Sequence, residues 1–163
     1  MVNIDVSVEL NGYFADTGMS VPVEIEDPKA QRICQISMEA RAAAVSAARP
    51  GGKISEIGKA VEQVTVSYGM TMIKNLCGHG LGRKLHESPE NILNYFSKQE
   101  KGRLHTGHVI ALEPFISEGP EIVENCGYNN WALVVPAGYY VAQFEHTVIV
   151  TDNGNILATL LPE

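Results

Sequence analysis

The first part of the fold is decided by residues 2–18, VNIDVSVELNGYFADTG. Apolar and polar residues alternate strictly from Val2 to Leu10, which predicts a strand with one buried face. Asn11-Gly12 follows, and this dipeptide favours a two-residue hairpin turn. The return strand is predicted to run from about Tyr13 to Val23. The segment therefore predicts an antiparallel hairpin at the start of the chain.

The register of this hairpin brings two aspartates together. With a two-residue turn, Asp5 faces Gly18 and Asp16 faces Ser7. Asp5 and Asp16 are then diagonal neighbours on one face, roughly 7–8 Å apart at the backbone. Carboxylates this close repel each other unless a positive charge lies between them. On the hairpin alone, two solvated aspartates on an exposed face are the favoured interpretation.

Two helices and several strands are predicted beyond the hairpin. Asp27-Pro28 favours the start of a helix that runs to about Ala48. Ser55 is predicted to cap a second helix, which ends at Gly69. A Gly-rich loop is predicted at 77–87, and strands at 70–74, 108–117, 131–136, 140–150 and 155–160. This order predicts an α+β fold, with an antiparallel sheet and helices on one face.

Composition limits the class of protein. The chain has 163 residues, which fits a single domain spanning 1–163, and its net charge of −7 disfavours general nucleic-acid binding. We find no apolar run of about 18 residues and no secretory signal, so we expect neither a membrane partner nor export. The three cysteines, Cys34, Cys77 and Cys126, lie far apart, which disfavours a disulfide framework or a thiolate zinc site. These features are typical of a reduced, cytoplasmic protein.

Two glutamates lie in apolar surroundings. Glu113 is part of VIALEPFI, and Glu145 is part of VAQFEHTVIV. A carboxylate in a buried strand needs a cation to compensate its charge, or else it becomes protonated. A salt bridge is the alternative, but no Lys or Arg lies in either stretch. The pair therefore favours a metal site.

A histidine in a Gly-rich segment adds a possible nitrogen ligand. His79 lies in CGHGLGR, residues 77–83, where glycine permits close approach of the backbone. The segment lacks both GxGxxG and GK[ST], so a phosphate loop is disfavoured. The four carboxylates, Asp5, Asp16, Glu113 and Glu145, balance the charge of two divalent ions. Such a ligand set with one imidazole suits manganese, iron, cobalt or zinc. Shared carboxylates can hold two ions about 3.5–4 Å apart.

The sequence resembles a known family, the bacterial type I methionine aminopeptidases. The resemblance lies in VNIDVSVELNGYFADTG, GHGLGRKLHESP, ALEPFIS and AQFEHTVIVT, and it extends from Val2 to about Leu160. It implies the pita-bread fold. Creatinase, prolidase and aminopeptidase P share the same metal ligands, but the GHGLGRKLHESP wording resembles the methionine aminopeptidases more closely.

The resemblance also implies a role for each site residue. Asp16 and Glu145 would bridge two metal ions, Asp5 would complete one site, and His79 and Glu113 would complete the other. Glu113 would also act as the general base. The remaining roles concern substrate: His86 would hydrogen-bond the peptide, and Trp131 would line the methionine pocket. No catalytic role is expected for His105, His108 or His146.

The implied activity is metal-dependent removal of N-terminal methionine from nascent polypeptides. Complete members of the family have a further N-terminal part before VNIDV, so we expect this chain to be the C-terminal portion of a pita-bread domain. Weak or absent peptidase activity is expected for the chain alone, and its free strand edge is expected to favour association. The alternatives are an X-Pro-specific peptidase of the same fold and a non-catalytic metal-binding or partner-binding module.

Overall fold

The computed structural model describes residues 1–23, 26–127 and 132–160. Two helices and twelve strands lie in these ranges, and all of the strand pairs are antiparallel. The elements are β1 (Val2–Leu10), β2 (Tyr13–Val21), α1 (Pro28–Ala47), α2 (Ile54–Ser67), β3 (Thr71–Met72), β4 (Cys77–Gly80), β5 (Glu87–Leu93), β6 (Val109–Leu112), β7 (Phe115–Ser117), β8 (Glu124–Asn125), β9 (Leu133–Val134), β10 (Val141–Gln143), β11 (His146–Ile149) and β12 (Ile156–Leu157).

The predicted hairpin and its register are confirmed. Asn11 and Gly12 form the turn with φ of 54° and 79°, the positive values that a two-residue turn of this type requires. Asp5 pairs with Gly18, so the two aspartates share one face as expected. The return strand ends at Val21, two residues earlier than predicted.

The prediction that β1 is half-buried is wrong. Every residue of β1 is exposed, and its apolar face is from 46% exposed at Val6 to 70% exposed at Leu10. The reason is that β1 pairs only with β2, and the described residues place no layer against its apolar side. Alternation identified which residues share a face, but whether that face is covered depends on the rest of the fold.

The two helices largely follow the prediction. The Asp27 side chain caps α1 by accepting hydrogen bonds from the backbone of Lys29 and Ala30, at 2.9 and 3.1 Å. The predicted cap of α2 is wrong, because α2 begins at Ile54 and Ser55 is buried inside its first turn. Gly69 follows the end of α2 with φ of 69°, as a helix C-terminus requires.

Two predicted strands each divide in two at a glutamate. The segment 108–117 forms β6 and β7, which belong to different sheets and are separated by Glu113-Pro114. Pro114 lacks the amide hydrogen that a continuing ladder would need. The segment 140–150 divides likewise into β10 and β11, and the Glu145 amide there donates to Gly18 at 2.9 Å. Both glutamates therefore lie where the chain passes between sheets.

The predicted loop at 77–87 is instead partly a strand, and β5 was not predicted. β4 lies between β5 and β6 in a five-stranded sheet of order β12-β11-β6-β4-β5. A Cβ at Gly78 would lie 2.3 Å from the Ala111 carbonyl oxygen, so glycine is needed for this pairing. The glycines thus permit close strand packing, whereas the sequence suggested only a loop.

The hydrophobic core lies between the helices and the sheets. α1 contacts β6, β7 and β10, and α2 contacts α1, β3 and β5. The fully buried apolar side chains include Ile33, Ile36, Ile57, Ile110 and Ile116. Within the described ranges, neither helix has the length and apolar character that crossing a membrane requires. The α+β class with antiparallel sheets is therefore confirmed.

Candidate metal centre

Five side chains from separate elements meet beside the hairpin. His79 on β4 pairs with Ala111 on β6, and His146 on β11 pairs with Leu112. Glu113 directly follows β6, and Glu145 directly precedes β11. These pairings therefore place both glutamates next to His79. The cluster that results is formed by Asp5 of β1, Asp16 of β2, His79 of β4, Glu113 and Glu145.

The five side chains form two groups of potential ligands. Asp16, His79 and Glu145 each offer one ligand atom, and these atoms lie within 4.8 Å of one another. A second group consists of Asp5, Glu113 and Glu145, whose ligand atoms also lie within 4.8 Å of one another. Glu145 belongs to both groups, so a single carboxylate connects them.

His79 presents one ring nitrogen to the carboxylates. Its Nδ1 lies 3.0 Å from the Gly80 carbonyl oxygen, which can only accept, so Nδ1 carries the proton. Nε2 is then unprotonated and lies 3.5 Å from Glu113 Oε1 and 3.8 Å from Asp16 Oδ2. Burial lowers the pKa of His79, which favours this neutral form. A neutral imidazole held by its second nitrogen is the form in which histidine binds metals.

The two glutamates are strongly perturbed. Burial, and then repulsion from Glu145 and the aspartates, raise the pKa of Glu113 far above its ordinary value. Burial and repulsion from Asp16 raise the pKa of Glu145 in the same way. The side chain of Glu145 is buried, and its Oε1 has no hydrogen-bond partner in the described residues. An unpaired acceptor among carboxylates is the arrangement that a divalent cation satisfies, so the cluster fits such an ion.

Asp16 is held from both sides. Ser7 Oγ donates to Asp16 Oδ1 at 3.0 Å, and the Thr147 hydroxyl bonds both the amide and the carbonyl of Asp16, each at 2.8 Å. Sequence analysis did not identify Thr147, although it lies in the quoted AQFEHTVIVT stretch. Asp5 is the exposed member of the cluster, and partial burial, followed by repulsion from Asp16, raises its pKa.

The remaining predicted residues lie in different places. The His86 ring lies beside His79, with centroids 4.1 Å apart. Trp131 lies outside the described residues. His105 and His108 contact each other at 5.2 Å, away from the cluster, and His146 Nδ1 lies 2.9 Å from Thr159 Oγ1. The structure thus brings His86 to the cluster and gives the other three histidines local partners.

Two cavities adjoin the cluster. One has a volume of about 730 Å³ and borders His86. Another, of about 550 Å³, lies on the side of Asp5 and has mostly apolar walls, which include Phe115, Leu133 and Val141.

All three cysteines are free, as predicted.

Comparisons with known proteins extend over almost the whole chain. Methionine aminopeptidase from Staphylococcus epidermidis is 46% identical over 164 residues, which cover 100% of this chain and 65% of the relative. The crystal structure of methionine aminopeptidase from Thermotoga maritima matches with a TM-score of 0.90 and 29% identity, covering 98% of this chain and 63% of that one. Prolidase from Pyrococcus furiosus matches with a TM-score of 0.74 and 27% identity, covering 99% and 41%.

These matches confirm the predicted fold and family. The chain spans 60–65% of the length of the curated relatives it matches, and its fold is the pita-bread fold of its structural neighbours. The model of metallopeptidase family M24 matches residues 1–152. That family implies a divalent metal, in agreement with the carboxylate and imidazole cluster. The chain belongs to metallopeptidase family M24.

Proposed function

We propose that this chain carries a dinuclear metal centre that hydrolyses the bond after an N-terminal methionine. The observation that carries the proposal is the shared position of Glu145 in two adjacent groups of potential ligands. A carboxylate that two ions share can hold them about 3.5–4 Å apart, and four carboxylates balance their charge. The names of the relatives, methionine aminopeptidases, supply the proposed substrate class: nascent polypeptides that begin with methionine.

The proposed ligands are divided between two ions. Asp16 and Glu145 would be shared between the ions, Asp5 would complete one ligand set, and His79 and Glu113 would complete the other. The 3.5 Å distance between His79 Nε2 and Glu113 Oε1 supports the second set. Glu113 also lies within 4.8 Å of ligand atoms of Asp5 and Glu145, so its carboxylate reaches towards both proposed sites. The mixed oxygen and nitrogen donors suit manganese, cobalt, iron or zinc.

The residues around the centre suggest how each takes part. When bound, the ions would supply an acidified water and polarise the scissile carbonyl group. Glu113 is the proposed general base, because its carboxylate, ionised when the centre holds its ions, lies among the proposed ligands, where it would accept the proton of that water. His86 borders the cavity of about 730 Å³, where its imidazole would hydrogen-bond a bound peptide. The proposed proton transfer thus uses a side chain of the cluster, and the proposed peptide contact uses a side chain beside it.

The proposed methionine pocket lies on the side of Asp5. The cavity of about 550 Å³ has mainly apolar walls, as an apolar side chain requires. Trp131 is proposed to line it, and the support is that the next residues, Ala132 and Leu133, do so. We propose that residues 1–163 act as one catalytic unit and that the protein acts in the cytoplasm, where nascent chains emerge.

A peptidase assay tests this proposal. The chain, loaded with cobalt or manganese, is incubated with Met-Ala-Ser and with an X-Pro peptide. We expect slow release of methionine, because the chain spans 65% of its relatives, and loss of that release in Glu113→Gln. Preferential cleavage of the X-Pro peptide would favour the activity of the prolidase it resembles. No cleavage by metal-loaded chain would favour a non-catalytic metal-binding module, whereas rates typical of complete enzymes would contradict the expected weakness.

The exposed face of β1 supports association with a second copy. Antiparallel pairing of two β1 edges with Val6 opposite Val6 would place Asp5 opposite Ser7 and Glu9 opposite Asn3. No acidic side chain would then face another, whereas a shift of two residues would place Asp5 against Asp5 or against Glu9. This register also places the two exposed apolar faces side by side in one sheet, so that their apolar side chains become cross-strand neighbours.

Light scattering coupled to size-exclusion chromatography tests the association. We expect a dimer for the wild-type chain and a monomer for Val6→Lys, because a charge would enter the centre of the joined strands. Val66→Lys is the control, since Val66 is 61% exposed on α2, far from β1. A monomeric wild-type chain, or equal effects of the two substitutions, would contradict the proposed interface.

A further inference from the structure

A buried glutamine lies among the acidic side chains of the centre. Gln143 ends β10 and is 1% exposed, and its backbone amide donates to Ser20 Oγ at 2.9 Å. Its side-chain Nε2 donates to Glu145 Oε2 at 3.1 Å. In the metal-bound centre the Glu145 carboxylate would be ionised and could only accept, so the amide presents its NH2 group to it.

The same amide also acts on the second glutamate. Gln143 lowers the pKa of Glu113, against the larger effects of burial and neighbouring charge that raise it. An NH2 group has two hydrogens, so one is left for a second acceptor when the other is bonded to Glu145. With Glu145 Oε2 taken by Gln143, Glu145 Oε1 is the oxygen left without a partner.

The position of this amide depends on a glycine across the hairpin. A Cβ at residue 18 would lie 2.4 Å from Gln143 Oε1 and 2.7 Å from its Nε2. Gly18 pairs with Asp5, and its carbonyl accepts the Glu145 amide at 2.9 Å. Within the described part of the chain, Gln143 Oε1 is buried without a partner, which is unfavourable for folding. The chain keeps this unfavourable arrangement where the amide bonds Glu145.

We propose that Gln143 is a positioning residue for the metal centre: its side-chain amide fixes Glu145, and Gly18 provides the space it needs. The inference rests on the proposed function, since it concerns the geometry of the same ligands. Gln143 turns Glu145 so that Oε1 would be presented to the cation. Partners of this kind typically change metal affinity by about 10–100-fold when they are removed.

Cobalt binding to the 163-residue chain tests the inference. Gln143→Met retains the length of the side chain but removes both donors, so we expect cobalt affinity to fall about 10–100-fold and the visible spectrum of bound cobalt to change. The control is Ser37→Ala, which removes another buried hydrogen bond to β10, from Ser37 Oγ to the Ala142 carbonyl at 3.2 Å. Ser37→Ala is expected to leave the affinity and the spectrum unchanged. Circular dichroism verifies that each variant is folded.

A second variant links Gly18 to the same interaction. Gly18→Ala displaces the Gln143 amide without removing it, so we expect a similar loss of cobalt affinity. In a Gln143→Ala background, Gly18→Ala should have no further effect, because the atoms it would displace are gone. An equal loss in both backgrounds, or wild-type affinity and spectrum in Gln143→Met, would overturn the inference while the proposed function stands. A wild-type chain that bound no cobalt would instead refute the proposed function, and with it the inference.

Discussion

The metal-free chain should become less stable as the pH rises through neutrality. Burial, and then repulsion from Asp16, raise the pKa of Glu145 to about 8, against an ordinary value of 4.5. Between these values the folded protein holds a proton that the unfolded chain has lost. The free energy of unfolding therefore falls with pH, by about 1.4 kcal/mol per pH unit for one such group. Glu113, whose pKa is also raised, adds to this slope.

The measurement has to be made above the pH at which histidines titrate. Burial lowers the pKa of His79 and of His146 in the folded protein. Below about pH 6.5 these histidines therefore take up protons in the unfolded chain, which lowers the free energy of unfolding. Between pH 6.5 and 7.5 the glutamates dominate. For a chain of this size, 1.4 kcal/mol corresponds to a decrease in Tm of roughly 3–6 °C for each glutamate.

Scanning calorimetry with a chelator measures this decrease. Glu145→Gln should lose at least half of the pH dependence, because it removes one titrating group and also lowers the pKa of Glu113. A saturating divalent ion should abolish the dependence, since the bound carboxylates stay ionised in the folded state. If Tm of the metal-free wild-type chain stayed constant or rose over this range, the reasoning about the buried glutamates would be refuted.

Three further predictions concern the same site and its scaffold. Metal binding at pH 7 should release protons from Glu113 and Glu145, because both have raised pKa values in the metal-free chain. Calorimetric titration in buffers of different ionisation enthalpy counts the released protons. Zero release would contradict the raised pKa values. Gly78→Ala should destabilise the chain by about 1–3 kcal/mol and weaken metal binding, because its Cβ would contact the Ala111 backbone. Gly82→Ala, which meets only the flexible end of a glutamate side chain, is the control, and equal effects in denaturant unfolding would count against this account. Asp27→Ala should lower the free energy of unfolding by about 1 kcal/mol, because the α1 cap is lost, and denaturant unfolding measures this change. The same variant should keep its metal affinity, which calorimetric titration measures.

The hairpin shows how much local patterns can predict. Strict alternation and a two-residue turn fix the pairing, so the approach of Asp5 to Asp16 follows from residues 2–18 alone. The burial of Glu145 was likewise predictable from its apolar neighbours. These features depend on residues that are close together in the sequence, which is why the sequence was sufficient for them.

Other features depend on distant parts of the chain. The exposure of β1 follows from what packs against it, and the pattern of β1 contains no information about that. The role of His79 on a strand depends on Gly78 fitting against Ala111 of another strand. Gln143 lies two residues before Glu145 in a strand-like stretch, so the sequence contained a signal that it shares a face with this glutamate. The contact of Gln143 with Gly18, however, required the three-dimensional arrangement.

Calorimetric titration of the metal-free chain with manganese or cobalt tests the central claim most directly, when it is performed beside Glu145→Gln. We expect the wild-type chain to bind two ions. The variant should bind both much more weakly, because Glu145 belongs to both ligand groups. Wild-type binding of no ion, or binding of two ions with equal affinity by the variant, would contradict the assignment of these side chains as a dinuclear centre.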